Sequence, residues 1–183
     1  YKRKGCTFYG DRVEFDGNTV LYRDIEILET TAKVIISRFL GIPVGRKFEA
    51  YVRFRMKDGK KYNINMNAMA TFGISFGRNP RQYEELYPKV FEAVYAIVAK
   101  AMAQPYINKI RSGATVEVAG LMINATAAKP VKSRKDIVIN SSNYREAVIS
   151  QGYGVTVYNK QGDVLWDSPY FNYKNILLIP HIL

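Results

Sequence analysis

The stretch KFEAYVRFRMKDGKKYNINM, residues 47–66, decides the fold of this 183-residue chain. Between Phe48 and Met56 every second residue is apolar, and most of the residues between them are charged. A period of two is typical of a strand with one buried face. Asp58-Gly59 predicts a tight turn, and Tyr62 to Met66 continue the alternation on a return strand. The stretch therefore predicts an antiparallel hairpin that packs one face on a core.

The residues before this hairpin predict further antiparallel strands. Arg12 to Phe15 and Thr19 to Ile27 flank Asp16-Gly17-Asn18, which is a strong turn signal. Thr31 to Leu40 is rich in apolar and β-branched residues, and its predicted strand ends at a glycine- and proline-containing loop, residues 41–45. The first third of the chain thus reads as a β-meander.

The middle of the chain predicts a helix. Asn79-Pro80 opens it, and Pro88 is interpreted as an early-turn residue of the main helix. Apolar residues recur at helical spacing over such a wide arc that we expect burial on more than one face. Pro105 is expected to kink the helix or to begin a new turn, and Gly113 to end it. The stripe consists of Val90, Phe91, Val94, Tyr95, Ile97, Val98, Ala101 and Met102.

After Gly113 the strand pattern returns, with a basic loop at 128–135 and a closing helix entered near Asn172. The predicted strands are 115–118, 121–123, 136–139, 147–150, 155–158 and 164–166. Both halves follow the order of strands, hairpin and helix. The pattern therefore predicts an α+β fold of two units, residues 1–112 with a long closing helix and residues 113–183 with a short C-terminal one.

Three segments resemble the pleckstrin-homology-like fold, in the form of tandem two-unit proteins common in bacteria. Residues 15–25, FDGNTVLYRDI, resemble an early hairpin of that fold, and residues 113–123, GATVEVAGLMI, resemble its first hairpin in the second unit. Residues 175–178, NILL, resemble the start of its closing helix. The resemblance implies two split β-barrels, each plugged by a helix. It also implies a non-catalytic role in binding phospholipid headgroups or peptides.

The amino-acid composition limits the classes of partner and the cellular compartments that we expect. The net charge is +11, and residues 1–61 carry 14 Lys or Arg against 8 Asp or Glu. The positive electrostatic potential of such a chain favours anionic partners. The longest apolar run, 93–99, is far below the roughly 20 residues that span a bilayer, and no secretory signal is visible. The single cysteine, Cys6, fits a reducing compartment, so we expect a cytoplasmic location, while a disulfide-free extracellular domain stays open. Within the cytoplasm, the positive charge makes the membrane face one candidate location.

The residues do not predict an enzyme. His181 is the one histidine and Cys6 has no sequence partner, so neither nucleophilic catalysis nor a zinc site is expected. The acidic pairs Glu84-Glu85 and Asp24-Glu26 are candidates for acid–base work, but acids in a first helical turn stabilise the helix dipole. We therefore expect no cofactor, no metal and no catalytic residue.

The basic residues predict the binding site. We expect a non-catalytic module that associates with an anionic membrane surface or a membrane-associated partner, through side chains in loops and turns. Two alternatives stay open: a protein-interaction scaffold without lipid binding, and a binder of single-stranded nucleic acid through Tyr51, Arg53, Arg55 and Tyr62. The predicted lipid- or anion-binding residues are Arg46, Lys47, Lys60, Lys61, Lys132, Arg134 and Lys135.

Overall fold

The structure is a computed structural model that describes residues 5–76, 79–132, 137–150, 154–168 and 174–183. Its described strands form four antiparallel sheets, and helices follow the strands in both halves of the chain. The expected α+β class is therefore confirmed. The closed, helix-plugged barrel of the pleckstrin-homology-like fold remains a prediction.

The first half contains two sheets. A three-stranded sheet has the order β1-β2-β3, and a short 3-10 turn at Tyr22–Asp24 leads from it into a four-stranded sheet of order β4-β5-β6-β7. We call this second sheet the long sheet, because β4 and β5 each extend for about 50 Å at ~3.3 Å per residue. The strands are β1 Cys6–Phe8, β2 Arg12–Phe15, β3 Asn18–Leu21, β4 Ile25–Phe39, β5 Ile42–Met56, β6 Lys61–Thr71 and β7 Ile74–Phe76.

The alternation in residues 47–66 is confirmed, but the loop predicted at 41–45 is wrong. Strand β5 begins at Ile42, and the connection from β4 is the two-residue turn Leu40-Gly41. Pro43 is tolerated because it lies beyond the end of β6, where β5 is paired on one side by β4. The predicted strands 19–27 and 31–40 are also rearranged, since a 3-10 turn interrupts the first and β4 joins its end to the second.

The central helix runs from Pro80 to Arg111 in three successive segments. These are α1 (Pro80–Ala93), a π-helical segment (Val94–Ala99) and α2 (Lys100–Arg111). The Asn79 side chain caps its start by accepting the Arg81 N–H at 3.0 Å. Gly113, at φ 90°, ends it with the paired backbone bonds Gly113 N–H to Ile110 and Ala114 N–H to Lys109.

The two internal prolines do not define helix boundaries. Pro88 lies inside α1 rather than in its first turn, and Pro105 lies inside α2 without beginning a new one. Each proline removes a backbone donor, and tertiary packing outweighs that local cost here. Pro88 and Pro105 are both exposed, so their rings occupy the side of the helix that faces away from the core.

The second half also contains seven described strands in two sheets, ordered β11-β10-β9-β8 and β12-β13-β14. The hairpins at 115–123 and 155–166 are confirmed. The basic loop predicted at 128–135 is partly wrong, because β10 occupies its first residues and pairs with β9. The strands are β8 Val116–Val118, β9 Leu121–Ile123, β10 Ala127–Pro130, β11 Ile139–Asn140, β12 Tyr144–Ser150, β13 Gly154–Asn159 and β14 Val164–Ser168.

One hydrophobic core connects the two halves around the central helix. Val94, Val98 and Ala99 are completely buried, and the same core contains Phe54 from β5 and Val157 from β13. This confirms the expectation that the helix is buried on more than one face. No described sheet mixes strands from the two halves. The boundary predicted between residues 112 and 113 remains a prediction.

The end of the chain is tied to the first half. A 3-10 turn (Ile176–Leu178) and a short helix, α3 (Ile179–Ile182), pack against α2 and β12. The Asn175 side chain accepts the Leu28 N–H at 2.8 Å and donates to the Glu26 carbonyl at 2.9 Å, so it pairs with the edge of β4. Asn172, the expected cap of the closing helix, lies outside the described residues.

An aspartate on the buried side of the helix should destabilise both halves. We expect Val94→Asp or Val98→Asp to lower the free energy of unfolding by about 3 kcal/mol or more, because the charge has no partner in an apolar core. Ala96→Asp is the matched control, since Ala96 is exposed on the same helical segment. Chemical denaturation measures the difference, and equal stability of Val98→Asp and Ala96→Asp would refute the buried helix.

Candidate binding site at the distal end of the long sheet

Two turns meet at one end of the long sheet. The β4–β5 turn, Leu40-Gly41, and the β6–β7 turn, Phe72-Gly73, lie at the same end of the sheet. The β5–β6 turn lies at the opposite end. The Phe72 N–H donates to the Val44 carbonyl at 2.7 Å and fixes the second turn beside β5. We call the part of the sheet formed by residues 33–47 and 69–75 the distal end.

The distal end extends beyond the helix that covers the rest of this sheet face. Helix α1 packs on Phe48, Ala50 and Met66 through Tyr83 and Tyr87. Its last polar contact toward the turns joins Arg46 Nε to Glu84 Oε1 at 2.7 Å. From Arg46 to Ile42 the strand continues for about 13 Å. Large apolar side chains are exposed in the distal end as a whole, namely Val34, Ile35, Ile36, Phe39, Leu40, Ile42, Met69, Phe72 and Ile74.

Both distal turns place a large apolar residue in a disfavoured backbone conformation. Leu40 has φ 48° and Phe72 has φ 49°, each followed by a glycine with positive φ. Two positive φ values in a two-residue hairpin turn correspond to a type I′ turn, where Asn, Asp or Gly is preferred. The β2–β3 turn follows that preference with Asp16-Gly17. The distal turns instead carry Leu and Phe, which are 87% and 76% exposed.

The cations of the distal end lie behind these turns. Residues 30–48 contain four basic residues and no acidic one. Lys33 and Lys47 both pair with Glu49, and their hydrogen bonds lower the pKa of that carboxyl. Arg46 lowers the pKa of Glu84 in the same way. Arg38 is exposed beside the first turn and forms no ion pair with a carboxylate of the described residues.

The structure separates the predicted anion-binding residues. Arg46 and Lys47 lie at the distal end, on strand β5 and not in a loop as expected. Lys60 and Lys61 lie at the opposite end of the sheet, about 26 Å from Lys47 at ~3.3 Å per residue, because Lys61 pairs with Arg55. Lys132 is exposed just after β10. Arg134 and Lys135 lie outside the described residues.

Sequence reasoning missed the apolar part of the site. It assigned Thr31 to Leu40 as an ordinary strand and predicted no strand at Ile74–Phe76, which forms β7. The available signal was the pair of Leu-Gly and Phe-Gly steps in strand-forming surroundings. Read as type I′ turns, these steps would have predicted exposed apolar side chains at two hairpin tips.

The aromatic face considered for nucleic acid divides between two sides of the sheet. Tyr51 and Arg53 share the outer face, where the Arg53 guanidinium lies 4.7 Å from the Tyr51 ring centroid. Arg53 also pairs with Glu29, and Arg55 pairs with Glu26. Tyr62 does not join them, because it lies on the core side, edge-on to Phe15 at 6.5 Å. Arg53 and Arg55 are thus each paired with a carboxylate.

The residues considered for catalysis make structural contacts. Glu84 pairs with Arg46, and Glu84 and Glu85 lie in the second turn of α1, not in its first turn as expected. Burial, and to a smaller extent the charge of Asp16, raises the pKa of the Cys6 thiol to about 11. The thiolate is therefore scarce at neutral pH. The His181 ring stacks on Tyr95 at a centroid distance of 4.5 Å, and its Nε2 lies 3.0 Å from the Tyr95 carbonyl oxygen. The ring is half-buried.

A cleft of about 600 Å³ lies between the 3-10 turn at Tyr22–Asp24 and helix α2. Tyr22, Ile25 and Met102 form its buried floor. The Lys57 ammonium at its rim donates to the Arg23 carbonyl at 2.6 Å. Asp11 is the one carboxylate among its described lining residues, so the cleft has no pair of acids for general acid–base chemistry.

The described part of the chain holds no group of three or more His, Cys, Asp or Glu side chains placed to share a metal ion. None of its helices combines the length and apolar character needed to cross a bilayer.

No family model matches the chain, and neither a curated protein nor a solved structure matches it.

His181 should give stability a pH dependence. Burial is the largest cause and lowers the His181 pKa below the ordinary value of about 6.5. The hydrogen bond to Tyr95 opposes this shift, and nearby Lys100 adds a smaller lowering. As the pH falls through 6.5 the unfolded chain takes up the proton first, so the free energy of unfolding should decrease until the folded pKa is passed. Above pH 7.5 the contribution should be constant.

Denaturation between pH 7.5 and 5 in wild type and His181→Gln measures this effect. The substituted protein should lose the slope between pH 7.5 and 5.5, since no other histidine is present, whereas below pH 5.5 Glu49, Asp58 and Glu84, whose pKa values are lowered, add a slope in both proteins. An unchanged slope in His181→Gln would contradict the assignment.

Proposed function

We propose that the protein is a non-catalytic binding module that attaches to anionic membrane surfaces through the distal end of its long sheet. The observation that carries the proposal is the distal end of this sheet, where exposed apolar side chains lie next to four basic residues that outnumber the carboxylates they pair with. Exposed apolar patches of this kind mark interaction sites. The pleckstrin-homology-like resemblance supports the same class of function.

Charge favours a lipid surface over an uncharged partner. Each Lys or Arg close to an anionic leaflet contributes about 1 kcal/mol. Lys33, Arg38, Arg46 and Lys47 exceed their partners Glu49 and Glu84 by two charges. The other end of the sheet is mixed, because Lys60 pairs with Asp58 in the turn itself. The distal end is thus the part of this sheet that combines cations with uncovered apolar side chains.

A protein-interaction scaffold is the second candidate. The same exposed apolar residues could be covered by a protein, and β4 is an edge strand whose distal residues are exposed. A single-stranded nucleic-acid binder is less well supported, since Arg53 and Arg55 are paired with Glu29 and Glu26.

Vesicle co-sedimentation separates the two leading candidates. At low salt the wild type should pellet with vesicles containing phosphatidylserine and remain in solution with neutral phosphatidylcholine. Arg38→Glu combined with Lys47→Glu should lower the partition coefficient at least about tenfold, because two attractive charges become repulsive. Pelleting of wild type with neither vesicle would favour the scaffold.

Lys60→Glu combined with Lys61→Glu is the matched control. It makes the same change in net charge at the opposite end of the same sheet, so it should retain most of the binding. Equal losses in the two double variants would show that net charge alone attracts the protein. Reversal of Lys132, Arg134 and Lys135 tests the remaining predicted residues, and it should have the smaller effect if the distal end is the site.

A further inference from the structure

We infer that the two distal turns insert their apolar side chains into the bilayer, with Leu40 deeper than Phe72. This inference rests on the proposed function and adds a mode of attachment to it. Charged residues alone would hold the protein at the headgroups. Insertion requires apolar side chains that project past those charges.

The register of the sheet provides that projection. Thr71, the last residue of β6, pairs with Gly45, whereas β4 and β5 continue to the pair Phe39 and Ile42. The first turn therefore extends beyond the second by two residues of β4 and three of β5. At ~3.3 Å per residue the difference is about 7–10 Å. The centres of the two turns are about 10 Å apart across the sheet, since two strand spacings separate them.

The tip in this direction is apolar, and farther back apolar and basic residues lie side by side, because Ile36 pairs with Arg46 and Ile35 with Lys47. Leu40 forms the outermost turn, and Phe39 and Ile42 follow at the first strand pair. Arg38 comes next, beside Pro43, and Arg46 and Lys47 lie farther back on β5. When the strands stand upright on a membrane, the basic residues are at headgroup level while Leu40 and its neighbours reach the acyl boundary. The strength of binding to that region rises with the apolar area that the side chains bury there.

Turn chemistry supports a role in binding rather than in folding. Asparagine is preferred at the first position of a type I′ turn, so Leu and Phe at φ 48° and 49° do not optimise the hairpins. Ala119 has the same conformation in the β8–β9 turn, at φ 49°, but its side chain is small and buried, whereas those of Leu40 and Phe72 are large and exposed. Each of the two residues also exposes most of its apolar surface to water, which again gives no advantage to the free protein.

This conflict gives a substitution that separates binding from stability. Leu40→Asn combined with Phe72→Asn should leave the melting temperature unchanged or higher, because asparagine accepts the left-handed conformation more readily. It should lower partition onto phosphatidylserine vesicles at least about tenfold, through lost apolar burial. Val148→Asn combined with Val164→Asn is the control, since both valines are exposed on strands of the second half.

Fluorescence quenching measures the depth order. Leu40→Trp and Phe72→Trp are compared on vesicles that contain phospholipids brominated at different acyl positions. The wild type supplies the background, because Trp166 is the one native tryptophan and is buried. Both new tryptophans should be quenched, and the residue at 40 should respond to more deeply placed bromine than the one at 72.

Several outcomes would overturn the inference. Binding that is fully reversed by salt, with neither tryptophan quenched, would leave surface attachment intact but exclude insertion. A reversed depth order would contradict the register argument. Self-association of the wild type without vesicles, abolished in Leu40→Asn/Phe72→Asn, would assign the turns to a second copy of the chain. Absence of any vesicle binding would refute the proposed function itself.

Discussion

The central helix buries apolar side chains over an arc too wide for one contact face, and the architecture follows from that requirement. One sheet face cannot cover Val94, Val98, Ala99 and Met102 together, because these residues lie on more than one side of the helix. Strands from the first half cover part of it, and the C-terminal segments with the second-half strands cover the rest. The two halves share one core for this reason.

The same helix also explains why one end of the long sheet remains uncovered. Its first segment covers β5 and β6 only as far as Arg46 and Glu84, and the hairpin of β4 and β5 continues beyond that contact. Apolar residues on the extension have no neighbouring element of the described chain to pack against. Basic residues surround them, so the extension is both hydrophobic and cationic. This combination is suited to an anionic bilayer, whose interior is apolar and whose surface attracts cations.

Periodicity predicted the parts of the fold that have one inner and one outer face. The alternation from Phe48 to Met56 and the helical stripe around Val94 both correspond to buried positions. Prolines were less informative as markers of where helices and strands end. Pro43, Pro88 and Pro105 all lie inside regular elements, which tertiary packing maintains. The site was only half predicted. Arg46 and Lys47 were recognised from charge, but exposure of Leu40 and Phe72 depends on where the helix ends, which no local pattern reports.

The central claim is that the distal end of the long sheet meets the membrane. Amide hydrogen exchange with and without phosphatidylserine vesicles tests it most directly, since each backbone segment reports its own protection. The account predicts slower exchange in residues 38–47 and 69–75 when vesicles are present, with no change in the turn at 57–60. Protection centred on residues 57–61, or confined to the second half of the chain, would contradict it.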